Sequence, residues 1–237
     1  MDAFARARAE TINYHEQYYG KHKLFQSGSW LSEPDPKVAE LSARVSSITN
    51  CSILDLGAGV GRNAIPIAKA LSSGSQVVCV ELITSATDQL KRYAREHQVA
   101  DRITVVNDDF EKVSFSPAQF DLVLGISTLE HCSSYENLVA LVTRLQQWTK
   151  PSGLNYFNFS TSRKVVSFET GEPIETLVET RLQTEAWLER LASLYSSWNI
   201  EKLATMEPYS EVLEYNGARV RWSSDELEIL ASKKESS

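Results

Sequence analysis

Short apolar runs alternate along the chain with longer segments in which apolar residues recur every three or four positions. That alternation is what βαβ units leave in a sequence. Five runs predict strands: "SILDLG" from Ser52, "QVVCVE" from Gln76, "RITVVN" from Arg102, "FDLVLGIS" from Phe120 and "LNYFNFS" from Leu154. Their near-continuous apolar character fits strands buried on both faces of a parallel sheet. Between them, "GRNAIPIAKALSS", "SATDQLKRYAREHQ" and "YENLVALVTRLQQWTKPSG" carry apolar residues at helical spacing. In the last, Leu138, Leu141, Val142 and Leu145 share one face before Lys150-Pro151-Ser152-Gly153 stops the helix. Pro66 falls near the start of the first helix, where a missing N–H is tolerated.

Past the fifth strand the pattern changes. Residues 160–180 are polar and acidic, with Gly171 and Pro173, and predict a long loop. "LQTEAWLERLASLYSSW" then predicts an amphipathic helix with Leu182, Trp187, Leu188, Leu191 and Leu194 turned inward. Two weaker strands are expected around residues 200–206 and 226–232. The order of elements predicts an α/β, doubly wound, mostly parallel sheet with helices on both faces.

Composition narrows the function classes. A chain of 237 residues, 42% hydrophobic and 23% charged, suits one globular α/β domain with an appended segment. The net charge of −7 and the lack of a long basic run argue against nucleic acid and anionic lipid as partners. Cys51, Cys79 and Cys132 have neither metal-ligand spacing nor a disulfide framework, so they read as small buried hydrophobes in a reducing compartment. The first residues carry charges throughout, and no apolar run approaches the roughly 20 residues of a membrane span, so a cytoplasmic location is expected.

The chemistry is concentrated where strands end. "ILDLGAGVGRN" sets Asp55, Gly57, Gly59 and Gly61 between the first strand and the first helix. Three alternating glycines suggest a backbone that something approaches closely; a tight strand-helix turn is the plain alternative. Arg62 stands where the dinucleotide fingerprint G-x-G-x-x-G needs its third glycine, which disfavours a nicotinamide-dependent oxidoreductase. Glu81 ends the second strand about 20 residues after Gly61, the distance at which an acid reaches ribose hydroxyls; a solvated acid or helix cap is the alternative. In "NDDF", Asp109 with Phe110 could accept from an exocyclic amine and cover a ring, with Asp108 as rival and a simple turn as the alternative. The fourth strand delivers Ile126 and Ser127 to the sheet edge and Glu130-His131 just beyond. His131 is a candidate acid or base, or a structural histidine.

This ordered set resembles the class I S-adenosylmethionine-dependent methyltransferases, from about Trp30 onward. "LDLGAGVGRN" is similar to the family's first motif, "VVCVE" to its ribose-binding acid, "NDDF" to its adenine segment, "FDLVLGISTLEH" to its post-adenine strand and "TKPSG" to its turn before the fifth strand. The resemblance implies a Rossmann-like sheet of seven strands with a reversed C-terminal hairpin. It implies S-adenosyl-L-methionine as cofactor, held by Asp55, Gly57, Ala58, Gly59, Gly61, Glu81, Leu82, Asp109, Phe110, Ile126 and Ser127. "GRNAIPIA" and the C-terminal layout resemble the tellurite-resistance branch and its relatives, implying a small-molecule methyl acceptor. Glu169, Glu172, Glu175 and Glu179 disfavour an oxyanion acceptor, unless they form a solvated loop face. A non-catalytic S-adenosylmethionine-binding or interaction protein is the second reading.

The N-terminal segment lies outside the alternation and gathers Tyr14, Tyr18, Tyr19, Phe25 and Trp30. It is expected to be a helical lid over residues 1–30, with Tyr19 and Trp30 against the cofactor, on a domain spanning residues 31–237. A helix packed on the core is the alternative.

Overall fold

The computed structural model describes residues 2–175, 179–215 and 217–235. Strands β1 (Ser52–Leu56), β2 (Gln76–Glu81), β3 (Ile103–Asn107), β4 (Phe120–Ile126) and β5 (Thr149–Ser167) run parallel in the order β3-β2-β1-β4-β5. Next to β5 lies β8 (Ala218–Ser232), antiparallel, and beyond it β6 (Asn199–Thr205). All seven of these strands are expected from the sequence, and in the C-terminal hairpin at the edge it is β8 that runs against the others. An eighth, β7 (Tyr209–Tyr215), pairs with the first half of β8 and has no counterpart in the sequence reading.

Side chains of the central strands alternate between two apolar layers, as the pleat requires. Ile53, Val77, Cys79, Leu122 and Leu124 face α2 (Pro36–Val45), α3 (Ala64–Ala70) and α4 (Thr84–Glu96). Leu54, Leu56, Val80, Val123 and Phe157 face α5 (Tyr135–Trp148) and α6 (Thr184–Leu194). Burial on both sides explains why β1 and β4 lack polar alternation. The three cysteines are free and buried.

The segment 160–180 is not all loop. β5 runs on to Ser167 because β8 accompanies it past the sheet, pairing Lys164 with Ser223 and Ser167 with Val220. This ribbon, extended by β7, rises beside the carboxyl ends of the parallel strands. The Tyr215 hydroxyl there donates to Glu10, 3.3 Å away on α1 (Ala3–Lys21). Helix α1 starts at Asp2, whose side chain accepts from the Ala5 N–H at 2.8 Å. It contacts α4 and covers the end of the sheet where β1, β2 and β4 stop. Among the described residues no helix is long and apolar enough to cross a membrane.

Candidate functional site

A cleft opens between α1 and the carboxyl ends of the strands, which is where doubly wound sheets carry their ligands. The space there is about 530 Å³, counting that open to solvent. Gly57, Glu81, Leu82, Phe110, Ser127, His131 and Tyr19 line it, so seven of the residues singled out in the sequence meet in one place.

Each glycine of the first loop has a separate reason. Gly57 (φ +63°) and Gly61 (φ +96°) take left-handed backbone, and a Cβ there would run into Thr128 and Leu90 respectively. The close approach at those two positions is therefore made by the protein itself. Gly59 (φ +53°) is different: a Cβ would lie 2.8 Å from the hydroxyl of Tyr19, which descends from α1. Ala58 is buried, and its N–H donates to the Val80 carbonyl at 3.1 Å, tying the loop to β2.

Glu81 is buried and its carboxylate bridges two loops. Oε2 accepts from the Gly59 N–H at 2.8 Å and Oε1 from the Ile83 N–H at 2.7 Å. Burial raises its pKa although these N–H bonds oppose the rise. Asp55, on β1, is wholly enclosed; its Oδ2 has no hydrogen-bond partner among the described residues. Burial, partly offset by the Arg62 charge, lifts the Asp55 carboxyl to about 7. Burial and the nearby Glu81 charge push the Tyr19 hydroxyl well up. Asp109 accepts from the Glu111 N–H at 3.0 Å and lies 3.5 Å from Arg8 of α1, beside the buried ring of Phe110. Ile126 ends β4, and Ser127 takes a left-handed φ of +50° as its N–H donates to Asn158.

Trp30 is not brought into the cleft. It is 41% exposed, stacks on Tyr18 with ring centroids 5.0 Å apart, and lies under the Arg62 guanidinium at 5.2 Å. Tyr18 is partly buried against the core, and Leu31, next to Trp30, takes the buried position.

Several lining residues escaped the sequence reading. Arg8, Thr11, Ile12 and His15 line the cleft from α1 beside the expected Tyr19, and their spacing along the sequence is that of one helix face. That mixed polar and aromatic face was the available signal. Glu179 is a correction to the reading of the four glutamates as a solvated face: its side chain is 2% exposed. It pairs with His131 Nδ1 at 2.6 Å and Arg8 Nε at 2.8 Å. No local pattern marks it, because its partners are distant in sequence.

Of the three acids singled out, Glu81 lines the cleft, Asp55 is buried close enough to feel its charge, and Asp109 adjoins the lining ring of Phe110; Asp55, Ala58, Gly59, Gly61, Asp109 and Ile126 stand behind the lining rather than in it. That donor set suits a ligand with an ammonium, hydroxyls, an amino-substituted ring and a sulfonium; it is poorly suited to a pyrophosphate. The unpartnered Asp55 oxygen is the structural observation that most favours such a cationic ligand.

Comparison with known proteins agrees with this geometry. Residues 53–153 match the family described as methyltransferase domain. The chain is 27% identical over 128 residues to the ubiquinone biosynthesis O-methyltransferase of Rickettsia conorii, covering 54% of this chain and 41% of that protein. It is 31% identical over 126 residues to the release factor glutamine methyltransferase of Chlorobaculum tepidum, covering 48% and 40%. The matched part spans less than half the length of those relatives. Among solved structures, TehB from Haemophilus influenzae superposes with a TM-score of 0.62 at 17% identity, over 84% of this chain and 62% of that one. Residues 53–153 thus carry a methyltransferase domain, on a fold shared with solved methyltransferase structures, and the strand order and the acids at the strand ends agree with S-adenosylmethionine as its cofactor.

Proposed function

We propose that the protein transfers a methyl group from S-adenosylmethionine to a small-molecule acceptor within the cleft under α1. The observation that carries this reading is a cleft lined by Gly57, Glu81, Phe110 and Tyr19 at the strand ends, with the nearby buried Asp55 carboxylate left without a partner among the described residues. The bound donor would supply a methyl group activated by a positive sulfur. Glu81 would accept from the ribose hydroxyls, Asp109 and Phe110 would hold and cover the adenine, and Asp55 with the Gly57–Gly61 loop would hold the amino-acid end. Leu82, Ile126 and Ser127 would complete the wall.

Residues 1–30 act in this proposal as a lid on the domain formed by residues 31–237. Tyr19, over Gly59, is the side chain by which α1 senses the occupied loop, and closure excludes water from the transfer. His131 faces the acceptor side. The relatives differ in acceptor, as their names state, and a small molecule is favoured here by the confinement of the cleft between α1 and the strand ends. An intracellular, cytoplasmic location follows from the same reading, with neither nucleic acid nor membrane as partner.

The experiment is a panel of small-molecule acceptors with a methyl-labelled donor, alongside calorimetric titration of S-adenosylmethionine. Binding with transfer to a small molecule is the expected result. Binding with no transfer to any acceptor favours the second reading, a non-catalytic S-adenosylmethionine-binding protein, and the absence of binding contradicts both.

A further inference from the structure

Glu179 and His131 stand in different segments, yet their side chains meet at 2.6 Å with Glu179 almost fully enclosed. Helix α1 grips both partners. Arg8 donates from Nε to Glu179 at 2.8 Å and from its guanidinium to the His131 carbonyl, while the Thr11 hydroxyl donates to Glu179 at 3.2 Å. Thr180, next to Glu179, holds the Cys132 carbonyl, which pins the same segment from the other side. With Nδ1 engaged, Nε2 is the imidazole nitrogen available to the cleft that His131 lines.

We infer that Glu179 is a positioning residue that orients His131 as the base for a phenolic or enolic acceptor, and that Arg8 and Thr11 complete this arrangement when α1 is docked. The inference rests on the methyl-transfer reading. A phenol, with an ordinary pKa of about 10, needs its proton taken during attack, whereas a thiol near 8.5 already holds a few per cent of reactive thiolate at about pH 7. As the acceptor oxygen forms its bond to the methyl group, the sulfur–methyl bond breaks, its electron pair stays on sulfur, and the acceptor proton passes to His131 Nε2.

The charges around the imidazole set its range. Glu130 adjoins it, Glu179 faces it from the segment before α6, Glu81 from β2, Arg163 from β5, and Arg8 and His15 from α1. Burial draws the His131 pKa down, but the hydrogen bond to Glu179 and the charges of Glu130 and Glu179 outweigh it, holding the group above 6.5. Burial also opposes ionisation of Glu179, but the His131 and Arg8 contacts keep its carboxyl below the usual range. The active, neutral form of His131 therefore grows as pH rises through that raised value.

The test begins with NMR titration of the labelled imidazole, assigned with His131→Gln, in the full chain and in Glu179→Gln. The expected result is a His131 pKa lower by at least ~0.5 unit in Glu179→Gln with the Nδ1–H tautomer kept, and S-adenosylmethionine affinity within about threefold of the parent. With labelled donor and the probes 3,4-dihydroxybenzoate and a cyclic 1,3-diketone, the kcat/KM profile should move to lower pH with a lower plateau. An unchanged His131 titration overturns the inference, as does a loss of activity by one factor at every pH. Transfer to neither probe by a chain that binds S-adenosylmethionine overturns the acceptor class. A chain that binds no S-adenosylmethionine fails the methyl-transfer reading instead, while the titration still decides the role of Glu179.

Discussion

Two acids in the cleft, Glu81 and Glu179, show how differently its halves are held. Glu81 is answered by the N–H groups of Gly59 and Ile83, both close to the strand ends that define the fold. Glu179 is answered by the side chains of His131, Arg8 and Thr11, gathered from two parts of the chain far from it in sequence. The first half is held by backbone N–H groups beside the strand ends. The second exists only while α1 and the segment before α6 are both in place. Cofactor binding and acceptor chemistry can therefore be perturbed separately.

The largest expected effect is at Gly59. A Gly59→Val chain combines a strained left-handed φ with a side chain driven against Tyr19, and should lose more than ~100-fold in S-adenosylmethionine affinity by calorimetry. Retained affinity in a folded variant would show that this loop does not hold the ligand. Next, Glu81→Ala removes the proposed ribose acceptor and leaves two buried N–H groups without their carboxylate. A loss of about 1.5–3 kcal/mol in binding is expected from the same titration.

Asp55→Asn should act in two directions. The folded carboxyl titrates near 7 against an ordinary 3.8, so the folded chain keeps a proton that the unfolded chain has released. Stability should thus fall as pH rises from about 4 to about 7 and level off above. The variant should lose this slope and gain about 1–3 kcal/mol at pH 8 in the unliganded protein, measured by chemical denaturation, while binding the cofactor more weakly. A variant less stable than the parent at pH 8 would contradict the enclosed, unpartnered carboxylate. The smallest effect belongs to Trp30→Ala. Since Trp30 stacks on Tyr18 outside the cleft, affinity should change by less than about twofold; a larger loss would return Trp30 to the site.

The same contrast explains how much could be read from sequence. The central strands were legible because β1 and β4 are buried on both faces and hold apolar residues nearly without interruption. Glu81 and Asp109 were legible because their positions are tied to strand ends. β7 was not: most of its residues are exposed, so it carries no apolar alternation, and its order comes from the ladder with β8. The extension of β5 to Ser167 was hidden for the same reason, since polar residues there are held by pairing rather than burial. Glu179 looked like any loop acid because its burial depends on Arg8 and His131, both far away in sequence.

The central claim is that S-adenosylmethionine lies between α1 and the ends of β1 to β4. Hydrogen exchange of the full chain with and without saturating S-adenosylmethionine tests it most directly. The account predicts added protection in Thr11 to Tyr19, in the Gly57–Gly61 loop, at Leu82 and Ile83 and around Phe110, with the outer ribbon of β7 and β8 unchanged. Protection confined to the ribbon, or none in α1 and the glycine loop under saturating ligand, would contradict it.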